Sequence, residues 1–297
     1  LKKLLQGLEQ LTYPIEKILV FDNNSTDNTV DHLRENGFKD YRAHKNDAKK
    51  LYFANDENLG GAGGFSMAVG LAQQLDIDYL WIMDDDVLPE PDCLEKLLMQ
   101  MDKTGAKVAL PSREDENYTD RVCLDLDLED HNKFWASLRK QVAPHPLDKE
   151  TYFVKDMTFE GPLMTLEVSK KVGLPDKDYF IFFDDTDYAY RLSQYTKLVY
   201  VTDAKLRRQL AGGDPDRDSA EREYTWRNYY MMRNNILFDK RYGKNWKVRH
   251  LSPTIMMAHM LVLSKRNRHL KHNFPIIMKA WYDGIRGKSG KRVDPNY

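Results

Sequence analysis

The sequence predicts an α/β fold, a mixed and mainly parallel sheet flanked by helices with a helical extension at the carboxyl end, and three observations lead there. Short apolar runs alternate with helical patterns through the first half of the chain. The strand-like runs end in polar clusters, and the carboxyl ends of strands are where open α/β sheets gather ligands. From about residue 220 the pattern turns helical and basic. With 297 residues, 41% of them hydrophobic, the chain is long enough to bury a substantial core.

Leu1–Leu11 carries a helical pattern, and Ile18–Phe21 reads as a buried strand ending at Asp22. Ser25, Thr26 and Asp27 then supply caps for a helix through about Glu35. Leu51–Ala54 is a second strand, followed by a glycine-rich loop at Gly60–Gly64 and an apolar helix from about Phe65 to Leu75. Tyr79–Met83 is a third strand and runs straight into Asp84-Asp85-Asp86. Pro89 and Pro91 stop its exit loop, and Asp92–Lys103 reads as the next helix. Residues 112–158 are polar and weakly periodic, which predicts a variable loop or insertion. A helix is expected around Glu167–Val172, then the run Tyr179–Phe183 leading into Asp184-Asp185-Thr186-Asp187, helical Tyr188–Ser193 and a strand at Lys197–Thr202. Tyr224–Arg241 and Thr254–Leu263 complete the pattern as helices. The domain division that follows is a sheet-bearing unit over 1–220 and a basic helical extension over 221–297.

The 45 Lys and Arg nearly balance the 46 Asp and Glu, so the whole chain does not resemble a nucleic-acid binder. From Asp239 to Arg292, however, fourteen basic residues face two acids, a local +12 that leaves −13 elsewhere. Apolar segments at Tyr229–Leu237, Ile255–Leu263 and Phe274–Trp281 interleave with Lys265, Arg266, Arg268 and Lys271. That composition suits either a surface lying on an anionic membrane or a helical subdomain with a solvated basic face. Its aromatics recur at helical spacing, not as a stacking platform, which argues against RNA. Cys93 and Cys123 are too few for a disulfide framework or a zinc site. No run reaches the ~18 apolar residues of a membrane span, and the amino end has no signal-peptide pattern. The expected location is the cytoplasm, with peripheral placement on the inner face of the cell membrane as the extension of that reading.

Three adjacent carboxylates after a buried strand repel one another unless a cation is shared or solvent screens them. A hard divalent ion with oxygen ligands, Mg²⁺ or Mn²⁺, is the natural partner, and such ions keep coordination positions for phosphate oxygens. A solvated turn is the plainer alternative. The run Asn58-Leu59-Gly60-Gly61-Ala62-Gly63-Gly64 lets backbone approach a ligand and opens a helix amino terminus, a ready anion site. It has neither GxGxxG spacing nor the GK[ST] of a P-loop, and a flexible turn is its alternative. For Asp184–Asp187 the alternative is an acidic cap on a helix start, and both roles can coexist.

Taken together, Asp22-Asn23-Asn24-Ser25-Thr26-Asp27, Asn58-Leu59-Gly60-Gly61, Asp84-Asp85-Asp86 and Phe180–Arg191 occur in an order that resembles the family 2 glycosyltransferases of GT-A fold. The resemblance covers roughly residues 1–240. The Gly-Gly-x-Gly-Gly-Phe variant is most similar to galactofuranosyltransferases, with rhamnosyltransferases next. It implies an inverting transfer from a nucleotide-sugar donor, a UDP-sugar with galactofuranose favoured, to a glycan or lipid-linked acceptor. Asp22, Asn23 and Ser25 would form the nucleoside pocket. Asn58 with Gly60, Gly61, Gly63 and Gly64 would hold the donor, and Asp84 and Asp85 would lie on its ribose side. Asp86, joined by Asp84, would bind the metal. Asp185 would be the general base beside Asp184, while Arg191 and residues 226–228 would line the diphosphate or acceptor side. dTDP-rhamnose is the rival donor, and a non-catalytic sugar-nucleotide binder is the rival class.

Two departures from the family pattern stand out. The usual amino-terminal strand is missing, as in a truncated chain. The metal-binding histidine expected about 20 residues after the base is absent too, with Lys205-Leu206-Arg207-Arg208-Gln209 in its place. Arg207 or Arg208 could neutralise the diphosphate directly.

Overall fold

The computed structural model describes residues 1–116, 118–209 and 223–294. The chain opens with α1 (Lys2–Leu8), β1 (Ile18–Asp22), α2 (Thr29–Glu35), β2 (Lys39–Asp40), α3 (Tyr41–His44), β3 (Lys50–Ala54) and α4 (Gly60–Ala72). β1, β3 and β2 form a three-stranded parallel sheet in that order. Alternation along β1 gives it two covered faces. Leu19 and Phe21 pack with Leu71 and Leu75 at the α4 end, while Ile18 and Val20 pack with Leu33 of α2 and with Leu1 and Leu5.

Next come β4 (Tyr79–Trp81), β5 (Val87–Pro89), α5 (Cys93–Thr104), β6 (Val108–Ser112), β7 (Cys123–Leu126), α6 (Ala136–Arg139), β8 (Lys140–Val142), β9 (Thr151–Val154) and β10 (Leu163–Thr165). After them lie α7 (Leu166–Val172), α8 (Asp184–Leu192) and β11 (Leu198–Arg208). The second sheet runs β4-β10-β6-β11-β5, with β9 also on β11. β6 is buried along its whole length because it lies between β10 and β11, with Val108 and Leu110 in one core cluster and Ala109 in another. α4 joins the sheets: Val69 packs with Ile82 and Met164 of the second, Leu71 with Leu51 of the first.

The fold class is the mixed α/β one expected, but its pairing is less parallel than the alternation of runs suggested. Among the described residues only β1–β3, β2–β3 and β6–β11 are parallel, whereas β10 runs against both its neighbours and β11 runs against β5 and β9. Among the described residues nothing pairs with the outer edge of β1 or of β4, so the two sheets stay separate. Residues 112–158 are also more than a loop. They supply β7, α6, β8 and β9 and bury Val122, Cys123, Leu128, Arg139, Tyr152 and Val154. Strands of three or four residues are too short to display a period, which is why the segment reads as irregular.

The helices α9 (Trp226–Tyr242), α10 (Ser252–Arg266) and α11 (Leu270–Ile285) follow. Thr225 and Asn228 form a capping box that starts α9. The three helices share a core of Tyr229, Tyr230, Ile236, Met256, Ile276 and Ile277, against which Phe180, Ile181 and Phe182 also pack. No helix among the described residues is long and apolar enough to cross a membrane.

Candidate active site

The site begins where β1 ends. Asp22 is buried there, and its Oδ2 accepts the Ser25 N–H at 3.3 Å, which turns the chain. Asn23 accepts the Leu59 N–H on Oδ1 at 2.9 Å and donates from Nδ2 to the Gly60 carbonyl at 3.0 Å. Asn58 Oδ1 accepts the Gly60 N–H at 2.9 Å. Asn23 and Asn58 therefore shape the start of α4 and tie it to β1.

The glycines expected as a loop are the first turns of α4 itself. Their small size follows from close approaches. A Cβ on Gly60, whose φ is +74°, would stand 2.3 Å from the Phe180 carbonyl oxygen, and one on Gly64 would stand 3.2 Å from Asn23 Nδ2. A Cβ on Gly61 would meet nothing within 4 Å, so that side of the turn is open. The Ala62 N–H donates to the Phe180 carbonyl at 3.1 Å, locking the helix start to the segment that carries the second acid cluster.

That segment is not a strand. Lys177–Tyr179 form a 3₁₀ turn, and Phe180, Phe182 and Phe183 adopt φ of +67°, +63° and +71°. Left-handed backbone costs non-glycine residues about 1–2 kcal/mol each, so outside contacts must hold the turn. Asn234 of α9, fully buried, supplies them: its Nδ2 lies 3.1, 2.7 and 2.9 Å from the carbonyls of Tyr179, Ile181 and Phe182. Arg233 Nη2 donates to the Tyr179 carbonyl as well, at 3.0 Å.

The turn delivers Asp184, Asp185 and Asp187 to the first turn of α8, where the helix dipole favours negative charge. Their fates differ. Asp187 is fully buried and accepts hydrogen bonds from Tyr179 Oη, Tyr242 Oη, Arg191 Nε and Arg241 Nη1. Asp184 is buried, and burial first, then the charges of Asp185 and Asp84, hold its carboxyl well above the usual range. Asp185 is half-buried, with Oδ1 accepting the Thr186 N–H at 2.7 Å. Arg191 was expected beside the donor, but its guanidinium is committed to Asp187 and to the carbonyls of Val172 and Leu174. It is a brace for α8, because an arginine four residues after a buried aspartate on one helix turns back to pair with it.

Asp84 is pushed up to about 7, by burial first and then by Glu160, Asp86, Asp85 and Asp185. The two acid clusters of the sequence thus share one electrostatic environment. Asp86 is raised by burial and by Glu160, with Arg208 opposing, while Asp85 turns outward with its side chain 74% exposed. Glu160 has no motif around it in the sequence and is visible only in the fold. It accepts from Arg113 Nη1 at 2.9 Å and stands 3.3 Å from Arg208 Nε.

The continuation of β11 separates the two candidate arginines. Past the irregularity between Val201 and Lys205 the strand pairs with β5, opposing Arg208 to Val87, and the Gln209 N–H donates to the Asp86 carbonyl at 2.7 Å. Arg208 lies inward by Glu160 and over the Tyr118 ring, whereas exposed Arg207 pairs with Glu90 at the surface.

Among the described residues no three His, Cys, Asp or Glu side chains gather into a metal-holding group. The donors that are present, Asp84 and Asp86, offer carboxylate oxygens, and Asp84 is raised first by burial and then by neighbouring acids, both of which a bound cation would offset. This fits Mg²⁺ or Mn²⁺ with its other positions left to phosphate oxygens and water.

A family model described as glycosyl transferase family 2 matches residues 1–156. Galactofuranosyltransferase GlfT2 of Mycolicibacterium smegmatis is 25% identical over 242 residues, which cover 75% of this chain and 35% of that protein. GlfT1 of the same organism is 25% identical over 152 residues, 48% of this chain and 47% of that protein. The chain therefore spans less than half the length of these relatives. Among solved structures, S. aureus TarS 1–349 in complex with UDP-GlcNAc aligns with a TM-score of 0.53 at 12% identity, covering 96% of this chain and 77% of that one. GalNAc-T7 with UDP, GalNAc and Mn²⁺ aligns at 0.52 and 13%, covering 94% and 53%. At such identities the likeness establishes a shared fold, and that fold is GT-A.

Proposed function

Because the chain belongs to glycosyl transferase family 2, we propose that it uses a nucleotide-sugar donor and transfers galactofuranose from UDP-galactofuranose, with inversion, to a glycan or lipid-linked acceptor. The observation that carries this reading is the convergence of the Asp84 and Asp184–Asp185 acids beside the glycine start of α4, which the Phe180 carbonyl ties to the acid-bearing turn. Asp185, the half-buried member, accepts the proton of the acceptor hydroxyl as that oxygen bonds to the anomeric carbon and UDP departs. Burial of Asp184 and the charge of Asp185 beside it both raise its carboxyl and so disfavour a second negative charge at the reaction centre. Backbone N–H groups at the start of α4 and the Arg208 guanidinium face the departing diphosphate. A divalent ion, when held by Asp86 and Asp84, neutralises diphosphate charge.

Asp22, Asn23 and Ser25 form the nucleoside end of this arrangement, with Asp85 at its solvent rim. The basic extension gives the enzyme a place to work: Lys265, Arg266, Arg268 and Lys271 are exposed beside the exposed apolar Val262 and Phe274. We read that face as a contact for anionic lipid on the cytoplasmic side of the membrane, where lipid-linked acceptors lie.

The test is transfer of labelled sugar from UDP-galactofuranose and, separately, from dTDP-rhamnose to a lipid-linked galactan, with UDP affinity measured by calorimetry with Mn²⁺ and in EDTA. Transfer from the UDP donor, with affinity that falls in EDTA, is the expected result. Transfer from the rhamnose donor alone overturns the donor assignment. UDP binding with no transfer from either donor favours a sugar-nucleotide binder over an enzyme, and equal affinity in EDTA removes the metal.

A further inference from the structure

The turn that presents the acids holds its shape through its main chain, and the groups that hold it come from α9. Four consecutive carbonyls, Tyr179 to Phe182, have named donors: Asn234 Nδ2 on the first, third and fourth, and the Ala62 N–H on the second. The side-chain amide has two hydrogens for its three acceptors, so it sits at their centre and shares them. Its orientation is fixed as well, since a flipped amide would set its oxygen against three carbonyl oxygens. Asn234 Oδ1 is itself buried and without a partner, so nothing else explains this polar side chain in the helix core. Arg233 adds a bond to the Tyr179 carbonyl and uses its Nη1 on the carbonyls of Lys288 and Gly290.

We propose that Asn234 is a positioning residue for the reaction: it sets the Phe180–Phe183 turn and thereby the place of Asp184 and Asp185 relative to Asp84 and the α4 start. The helical extension is then part of the catalytic machinery, not an accessory docked beside it. This inference rests on the transferase reading for its kinetic consequence but not for its geometry. Displacing a catalytic group by about 1 Å can cost on the order of 10²-fold in rate. An apolar residue of similar size at 234 frees the carbonyls of Ile181 and Phe182, leaves that of Tyr179 to Arg233, and lets a turn with three positive-φ residues relax.

The experiment compares Asn234→Leu with Asn235→Ala in the full chain. Asn235 is the buried neighbour on α9, and its Nδ2 donates at 2.9 Å to the Phe134 carbonyl, away from the turn. UDP release from UDP-galactofuranose in the presence of acceptor gives kcat and KM. Calorimetry with UDP gives affinity and stoichiometry, and hydrogen exchange reads the amides of residues 180–187. Asn234→Leu should lower kcat by about 10²-fold while one UDP still binds per chain with affinity changed less than about threefold. Exchange should quicken over 180–187, and Asn235→Ala should show neither effect even if its melting temperature falls equally. A kcat that falls only in proportion to the UDP stoichiometry, or equally in both variants, overturns the proposal. If the wild-type chain binds UDP and releases none from the donor, the transferase reading fails. The positioning claim is then decided by exchange alone, where faster exchange in Asn234→Leu supports it and unchanged exchange overturns it.

Discussion

Replacing Gly60 and Gly61 by alanine, one at a time, should move stability in opposite directions although the two are adjacent in one helix turn. At Gly60 the new Cβ would stand 2.3 Å from the Phe180 carbonyl oxygen, so something must yield by about 1 Å to reach the ordinary contact range that begins at 3.4 Å. The oxygen cannot retreat without losing the Ala62 N–H bond, about 0.5–1.5 kcal/mol. The φ of +74° adds about 1–2 kcal/mol for a residue with a Cβ. With the contact itself, a loss of about 3 kcal/mol or more follows, which for a chain of this size is a melting temperature lower by about 6 °C. Gly61 has no positive φ and open space, so alanine there should add about 0.5–1 kcal/mol of helix preference. On the proposed reading the donor approaches the open side of Gly61, so Gly61→Ala should weaken UDP binding in calorimetry while raising the melting temperature. Scanning calorimetry of the pair decides the matter. Equal melting temperatures would refute the claim that the Phe180 carbonyl is immovably seated against α4.

Asp185→Asn should leave UDP affinity within a few-fold and reduce kcat by ~10²-fold or more, with Asp184→Asn milder; a larger loss at Asp184 in the same release assay exchanges their roles. Because the folded Asp84 is pushed up to about 7, its carboxylate is protonated below that pH and free to bind a cation above it. UDP affinity with Mn²⁺ should therefore rise between about pH 6 and 8, and Asp84→Asn should flatten that rise; a slope that survives the substitution assigns it to another group. Arg208→Gln should raise the Kd for UDP while Arg207→Gln, outside at Glu90, should not, and the reverse order in calorimetry would return the diphosphate contact to Arg207. Flotation with phosphatidylglycerol vesicles should carry the protein at low salt, weaken as salt shortens the screening length to below about 8 Å, and drop when Lys265, Arg266, Arg268 and Lys271 become Gln. Equal flotation with neutral vesicles would leave the basic face merely solvated.

The parallel first sheet and the ends of its strands are legible in the sequence because Ile18–Phe21 and Leu51–Ala54 are apolar runs that stop abruptly at polar residues. What stays hidden is set by contacts distant along the chain. β10 is three residues of ordinary composition, and only its pairing with both β4 and β6 makes it a strand. Tyr179–Phe183 has strand composition, yet Asn234 holds it in a left-handed turn from more than fifty positions away. The acids of the site announce themselves by adjacency, whereas Glu160 stands alone in sequence and enters through the fold. Arg191 shows the opposite failure: a residue at motif spacing whose nitrogens are taken by its own scaffold.

Asp187 extends that lesson. It receives bonds from Tyr179, Tyr242, Arg191 and Arg241, and deleting its carboxylate would leave the buried Tyr179 hydroxyl without that acceptor, at a cost of about 1–3 kcal/mol, and loosen the two arginines from α8. Such a lesion would act through stability, two positions away from the aspartate proposed as the proton acceptor. A signature that spells the acids of this segment as one word therefore merges a chemical requirement with a mechanical one, and an activity screen alone would read the rivet as the tool.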